Sequence, residues 1–165
     1  MNRLVIIWIL FSLFANRIIP QAPAITFGQV SLQDLETAPL PLEKGANATV
    51  LCDLATAYMI YNNGFKIEYN RHIRIKIFNP SGYGLANIQI PFTKSNTITG
   101  LKAFTHNMED DQPVRVAVSQ KQFYTEKVDP YHNVIRFTFP NIREGSVIEV
   151  LTEAAGLFNP EKSSL

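Results

Sequence analysis

Between Phe65 and Gly82 the apolar residues fall on every second position. Phe65, Ile67, Tyr69, Ile73, Ile75 and Ile77 form one row, with Arg71 its single break. Lys66, Glu68, Asn70, His72, Arg74 and Lys76 fill the alternate positions. A period of two marks a β-strand, whose successive side chains point to opposite faces. The pattern predicts that the odd-numbered row covers a core while the even-numbered row meets water, as in an antiparallel sheet. Six large side chains, at about 1.5–3 kcal/mol each when fully buried, would make this ribbon a main source of stability. A slip of one residue would exchange the two faces, so the register is expected to be tightly fixed.

Shorter segments repeat the pattern. Thr49–Asp53 and Tyr58–Tyr61 read as strands, and Asn62-Asn63-Gly64 as the turn leading into the Phe65 strand, because Asn and Gly tolerate positive φ. Asn79-Pro80-Ser81-Gly82 ends that strand. Alternation recurs at Ala86, Ile88, Ile90 and Phe92, at Val114, Val116 and Val118, and at Ile135, Phe137 and Phe139. Thr99–Thr105 is extended in character, and Val147–Leu151 forms a last strand. Ser119–Val128 reads as either a short helix or a loop. Upstream, Ser31 followed three residues later by Asp34 is a helix-start signal, and Pro39 and Pro41 limit that helix to a turn or two. Many short strands with turn chemistry between them predict an all-β fold, an antiparallel β-sandwich or barrel, with a short N-terminal helix or turn.

Composition bounds the rest. The chain has 165 residues, 46% apolar and 18% charged, which suits one globular domain. Its net charge of +1, with no long run of one sign, excludes the concentrated basic face that nucleic-acid binding needs. The N-terminus has a different character. A positive start at Met1-Asn2-Arg3 precedes the run Leu4–Ala15, in which Ser12 is the sole polar residue. As a helix this run is roughly 18 Å long, short of a bilayer core of about 30 Å. A signal peptide over residues 1–24, with Ala22 and Ala24 framing a cleavage site, fits better than a stable transmembrane span. A retained signal serving as an anchor is the alternative. The expected organisation is then an exported β domain over residues 25–151 and a polar tail over 152–165. Cys52 is the one cysteine, so the domain has no internal disulfide.

Candidate chemistry is sparse. Arg71, if it points inward, needs an acceptor, because an unpaired buried charge is expensive. Glu149, Asp53 and Glu68 are the acids available, with Arg71 and Glu149 the candidate pair. A β-bulge or strand end would instead place Arg71 in solvent. Lys66, Arg74 and Lys76 form a modest basic stripe, suited either to an acidic glycan, lipid headgroup or neighbouring domain, or simply to a wet sheet face. His72, His106 and His132 lack the H-x-H or H-x-x-x-H spacing that sets two metal ligands on one element. Glu109-Asp110-Asp111 lacks a calcium-loop pattern. Cys52 lies in a strand-like run where a small buried hydrophobe is the common role; a nucleophile there would need a lowered pKa. No catalytic, metal or cofactor residue is assigned. Asn47-Ala48-Thr49 matches a glycosylation acceptor, with meaning only in a eukaryotic secretory pathway.

Several runs, taken in order, resemble one family. They are Phe27-Gly28-Gln29-Val30-Ser31 with Asp34-Leu35-Glu36, Asn47–Asp53, Arg71–Asn79 with Gly82 and Ala86, Phe137–Ile142 and Glu144–Glu149. The chain resembles, over about residues 27–150, the domain of unknown function that precedes a transglutaminase-like domain in exported proteins of Gram-negative bacteria, especially Bacteroidota. That resemblance implies a sandwich-like, non-catalytic accessory domain at the start of a larger protein, exported to the periplasm, cell envelope or medium. The catalytic Cys, His and Asp would lie in the later domain, which is the implied partner, and none of these residues carries over. The segment after Leu151 departs from the family pattern and reads as a truncation. An independent module binding glycan or peptide, and a small enzyme built on Cys52, are the alternative readings.

Overall fold

The computed structural model describes residues 25–36, 38, 45–61 and 64–157. The expected signal peptide, Pro39, Pro41, Asn62, Asn63 and the end of the expected tail lie outside these residues. The fold is all-β. A five-residue helix, α1 (Leu32–Glu36), precedes eight strands. They are β1 (Ala48–Tyr61), β2 (Phe65–Ile77), β3 (Asn87–Thr93), β4 (Asn96–Glu109), β5 (Gln112–Ala117), β6 (Tyr124–Lys127), β7 (His132–Thr138) and β8 (Val147–Leu157). Ser31 Oγ accepts from the Asp34 N–H at 3.0 Å, the cap that starts α1.

All pairings are antiparallel, in the order β1-β2-β8-β4-β3-β7-β6, with β5 on β4. The link between β4 and β3 is a single pair, Thr93 with Asn96, at their hairpin. One continuous path therefore divides into two halves, β1-β2-β8-β4 and β3-β7-β6, that share a core. Ile77, Ala103, Ile148 and Val150 come to it from the first half, and Ala86, Phe137 and Phe139 from the second half and the 3₁₀ turn Pro80–Ala86 that leads into it. Phe137 meets both Phe123 and Phe139 edge-on, at centroid distances of 5.0 and 5.5 Å.

Several elements run further than local periodicity indicates. Thr49–Asp53 and Tyr58–Tyr61 are two ends of one strand, because β1 pairs with β2 along its whole length, with one register shift between Val50 and Cys52. β8 does not stop at Leu151: it continues to Leu157, paired to β2 on one side and, as far as Gly156, to β4 on the other. Residues 152–157 are thus sheet and not tail. Ladders on both sides hold the mixed run Thr152-Glu153-Ala154-Ala155-Gly156 extended despite its weak local preference. Ser119–Val128 contains both a 3₁₀ turn, Gln120–Gln122, and β6. The tip Asp110-Asp111 joins β4 to β5 with φ values of 47° and 58°, the left-handed pair of a two-residue hairpin.

The two faces of β2 do not divide as dry and wet. Only the proximal part of the odd-numbered row joins the core, Ile77 fully and Ile75 at its margin. Phe65 is exposed, and Ile67 and Tyr69 are half-buried. On the even-numbered face His72, Arg74 and Lys76 are buried. The cover is the segment 25–36, which lies across that face.

Candidate functional site

The buried even-numbered face holds a cluster centred on Glu149. In the ladder Arg74 of β2 stands opposite Glu149 of β8, and Glu149 stands opposite Phe104 of β4. His106 of β4 follows two residues later on the same face. Glu149 is fully buried and its carboxylate accepts five hydrogen bonds. Oε1 takes them from His72 Nε2 at 2.7 Å and from Arg74 Nε and Nη2 at 3.1 and 2.6 Å. Oε2 takes them from His106 Nε2 at 3.0 Å and the Gly28 N–H at 2.8 Å. A carboxylate only accepts, so both imidazoles carry their proton on Nε2. Burial alone pushes the Glu149 carboxyl upward. The hydrogen bonds from His106, Arg74 and Gly28, with the Arg74 charge, outweigh it and hold the group at about 2.

Arg74 uses its remaining donors on the covering segment. Nη1 reaches Asp34 at 2.9 Å, and Nη2 reaches the carbonyls of Thr26 and Gln29 at 3.1 and 2.8 Å. Lys76 donates to the Leu35 carbonyl, at the last turn of α1, and to the Gly145 carbonyl at 2.7 Å. Burial lowers the Lys76 pKa. Phe27 seals the cluster, its ring 5.4 Å from that of His72 and 5.2 Å from that of Phe104. Arg115 lies over the Phe104 ring at 4.4 Å and bonds the Gly28 carbonyl at 3.0 Å. Gly28 has φ 80°, which a residue with a Cβ adopts only under strain. Among the described residues every buried side-chain nitrogen and oxygen has a partner.

This geometry corrects two sequence expectations. Arg71 does not pair with Glu149. It points to the opposite face and holds Asp53 through two bonds, at 2.8 and 2.7 Å, with both side chains over two-fifths exposed. The break in the apolar row is therefore a surface ion pair, and the bulge at Val50/Cys52 lies elsewhere in β1. Nor do Lys66, Arg74 and Lys76 form an open basic stripe. Arg74 and Lys76 are buried under segment 25–36, and Lys66 lies apart from them at the distal end of β2, opposite Leu157 of β8 in the ladder. One signal for the cluster stood in the sequence: Glu149 shares a strand face with Val147 and Leu151, an acid in an apolar row on a strand apolar on both faces. What gathers round it was not legible, since the covering segment is remote in sequence.

Cys52 lies opposite Arg74 in the β1–β2 ladder and is buried. Burial pushes its thiol pKa up, against the opposing charge of Arg74. His132 is away from the cluster, bonded to Asp129 at 2.7 Å in a surface turn. No group of three or more His, Cys, Asp or Glu among the described residues is arranged to hold a metal ion.

The opposite face carries a groove of about 570 Å³ where the two halves diverge. Its walls include Ile73 and Ile75 of β2, Ile88 and Ile90 of β3, and Ile148 and Val150 of β8, with Arg71 at its margin.

A buried ion cluster clasping an N-terminal segment to a folded-over sheet defines a small all-β domain. The chain belongs to a family described as a domain of unknown function with solved structure, DUF3857, whose model matches residues 65–161. No curated protein matches the chain. Among solved structures it is similar to a "putative protease" from Parabacteroides distasonis, at 12% identity and a TM-score of 0.48. That match covers 57% of this chain and 20% of the other, so the chain spans about a fifth of that protein's length. No helix among the described residues is long and apolar enough to cross a membrane.

Proposed function

We propose that this chain is a non-catalytic, exported β domain, the N-terminal accessory part of a transglutaminase-like protein acting on peptide or protein amide bonds. One observation carries the reading. Glu149, the centre of a buried group of titratable side chains, is committed to five internal hydrogen bonds and is closed off by Phe27. A general acid or base must reach a substrate proton. This carboxylate instead fastens segment 25–36 to the sheet. The pKa of Cys52 is raised, the reverse of what a nucleophilic cysteine needs. The run Leu4–Ala15 supports export, and membership of the family supports an accessory role. The test is an assay of the chain for peptide hydrolysis and for glutamine-to-amine acyl transfer. No turnover is expected, with no difference in Cys52→Ser; turnover that Cys52→Ser abolishes would overturn the reading.

A second reading, an independent glycan- or peptide-binding module, is favoured by the groove between the halves. Its apolar walls suit peptide side chains better than sugar hydroxyls. Saturable binding to a peptide array, lost when Ile88→Lys fills the groove, would favour this module over the accessory role.

A further inference from the structure

Strand β1 is an outer strand of the sheet, and it differs from the other outer strands. Among the described residues it pairs with β2 alone. Natural edge strands are guarded against unwanted pairing by shortness, proline, bulges or charge. β5 is six residues long with Pro113 and Arg115, and β6 is four residues long with Glu126 and Lys127. β1 is fourteen residues long. From Leu54 to Tyr61 it reads LATAYMIY, with no charge, proline or glycine, and its register is unbroken from Cys52 onward. Leu54 is 52% exposed, Met59 52% and Tyr61 74%. Among the described residues the outer backbone groups of this strand have no strand partner.

We propose that this edge pairs with the same edge of a second copy, joining two sheets through antiparallel β1 strands about a twofold axis normal to the sheet. The segment is self-complementary. With the axis near Thr56 or Ala57, Leu54 of one copy faces Tyr58 or Ile60 of the other. Asp53 of one copy then faces Met59 or Tyr61, so the two carboxylates do not oppose each other, and each keeps its own Arg71. Antiparallel self-pairing consumes the β1 edge of both copies at once, so the assembly closes as a dimer and does not grow. The strand is already extended and held by β2, so little conformational entropy remains to be lost on pairing. The proposal is independent of the accessory role proposed above.

Sedimentation velocity of the full chain over a wide concentration range tests it. The expected result is a reversible monomer–dimer equilibrium. Ala57→Lys and, separately, Thr56→Lys would bring two ammonium groups together at the axis and raise the dissociation constant at least about tenfold. Both positions are exposed, so each variant is expected to melt as the parent does. Glu144→Lys, an exposed change of greater charge difference elsewhere, leaves the equilibrium unchanged. A chain that stays monomeric throughout overturns the proposal, including one whose edge takes only a foreign extended peptide. Association that survives both β1 lysines, as pairing through Leu4–Ala15 would, also overturns it, as does growth into open-ended assemblies.

Discussion

Glu149 and Arg71 show how little a residue's type says about its role until its neighbours are known. Glu149 is fully buried beside the near-fully buried Arg74, and removing one partner from such a pair strands the other charge in a medium that solvates it poorly. Glu149→Gln is expected to cost about 3–5 kcal/mol, read as a fall in the urea midpoint. The same residue sets an acid limit. Its folded value of about 2 lies below the ordinary 4.5, so the stabilisation is complete above pH 4.5 and is lost as pH falls toward 2. The full difference corresponds to about 3 kcal/mol. Urea titrations from pH 6 down to pH 2 should show that loss in the parent and a much flatter profile in Glu149→Gln. Arg71→Ala, by contrast, breaks an exposed pair and should leave the midpoint nearly where it was. The sequence leaves Arg71 open between a buried pair and solvent, because alternation alone does not say what covers an arginine in an apolar row. Arg71 lines the open groove between the halves, with Asp53 beside it, and so stays wet.

At the scale of elements, the period-two reading located most of the strands but misjudged what covers them. Alternation reports which side chains share a face; it carries nothing about what lies over that face. His72, Arg74 and Lys76 look like a water-facing row, and they become buried because a segment some forty residues earlier supplies carbonyls, a carboxylate and a phenyl ring to match them. That segment was legible only as a capped turn at Ser31. Its attachment depends on Gly28, whose N–H bonds Glu149 and whose φ of 80° disfavours any side chain. A Cβ there would also come within 2.8 Å of Arg115 Nη1. Gly28→Ala is therefore expected to destabilise by about 1 kcal/mol or more and to loosen segment 25–36 selectively. Hydrogen exchange should speed at the amides of residues 27–35 while those of β2 and β8 stay protected. Uniform acceleration across the sheet would mean that the segment is an integral part of the core and not a clasp upon it.

At the scale of the whole molecule, the two halves are tied, among the described strands, by one backbone pair and by one shared core. The Thr93–Asn96 pair contributes a single rung, so cooperativity between β1-β2-β8-β4 and β3-β7-β6 has to pass through side chains. Phe137 is the residue best placed to carry it: it belongs to β7, packs edge-on against Phe123 and Phe139, and sits in one cluster with Ile77, Ala103, Ile148 and Val150 of the other half. Phe137→Ala removes that bridge and should cost about 3–5 kcal/mol. Tyr58 and Tyr61 report on the first half and Tyr124 and Tyr131 on the second, so the order of unfolding can be followed by selective labelling of these rings. In the parent both sets should lose structure in one urea transition. In Phe137→Ala the midpoint should fall for both together if the core couples the halves. Two separated transitions, with the β6–β7 half melting first, would instead mean that the halves are stable units and that the groove between them can open.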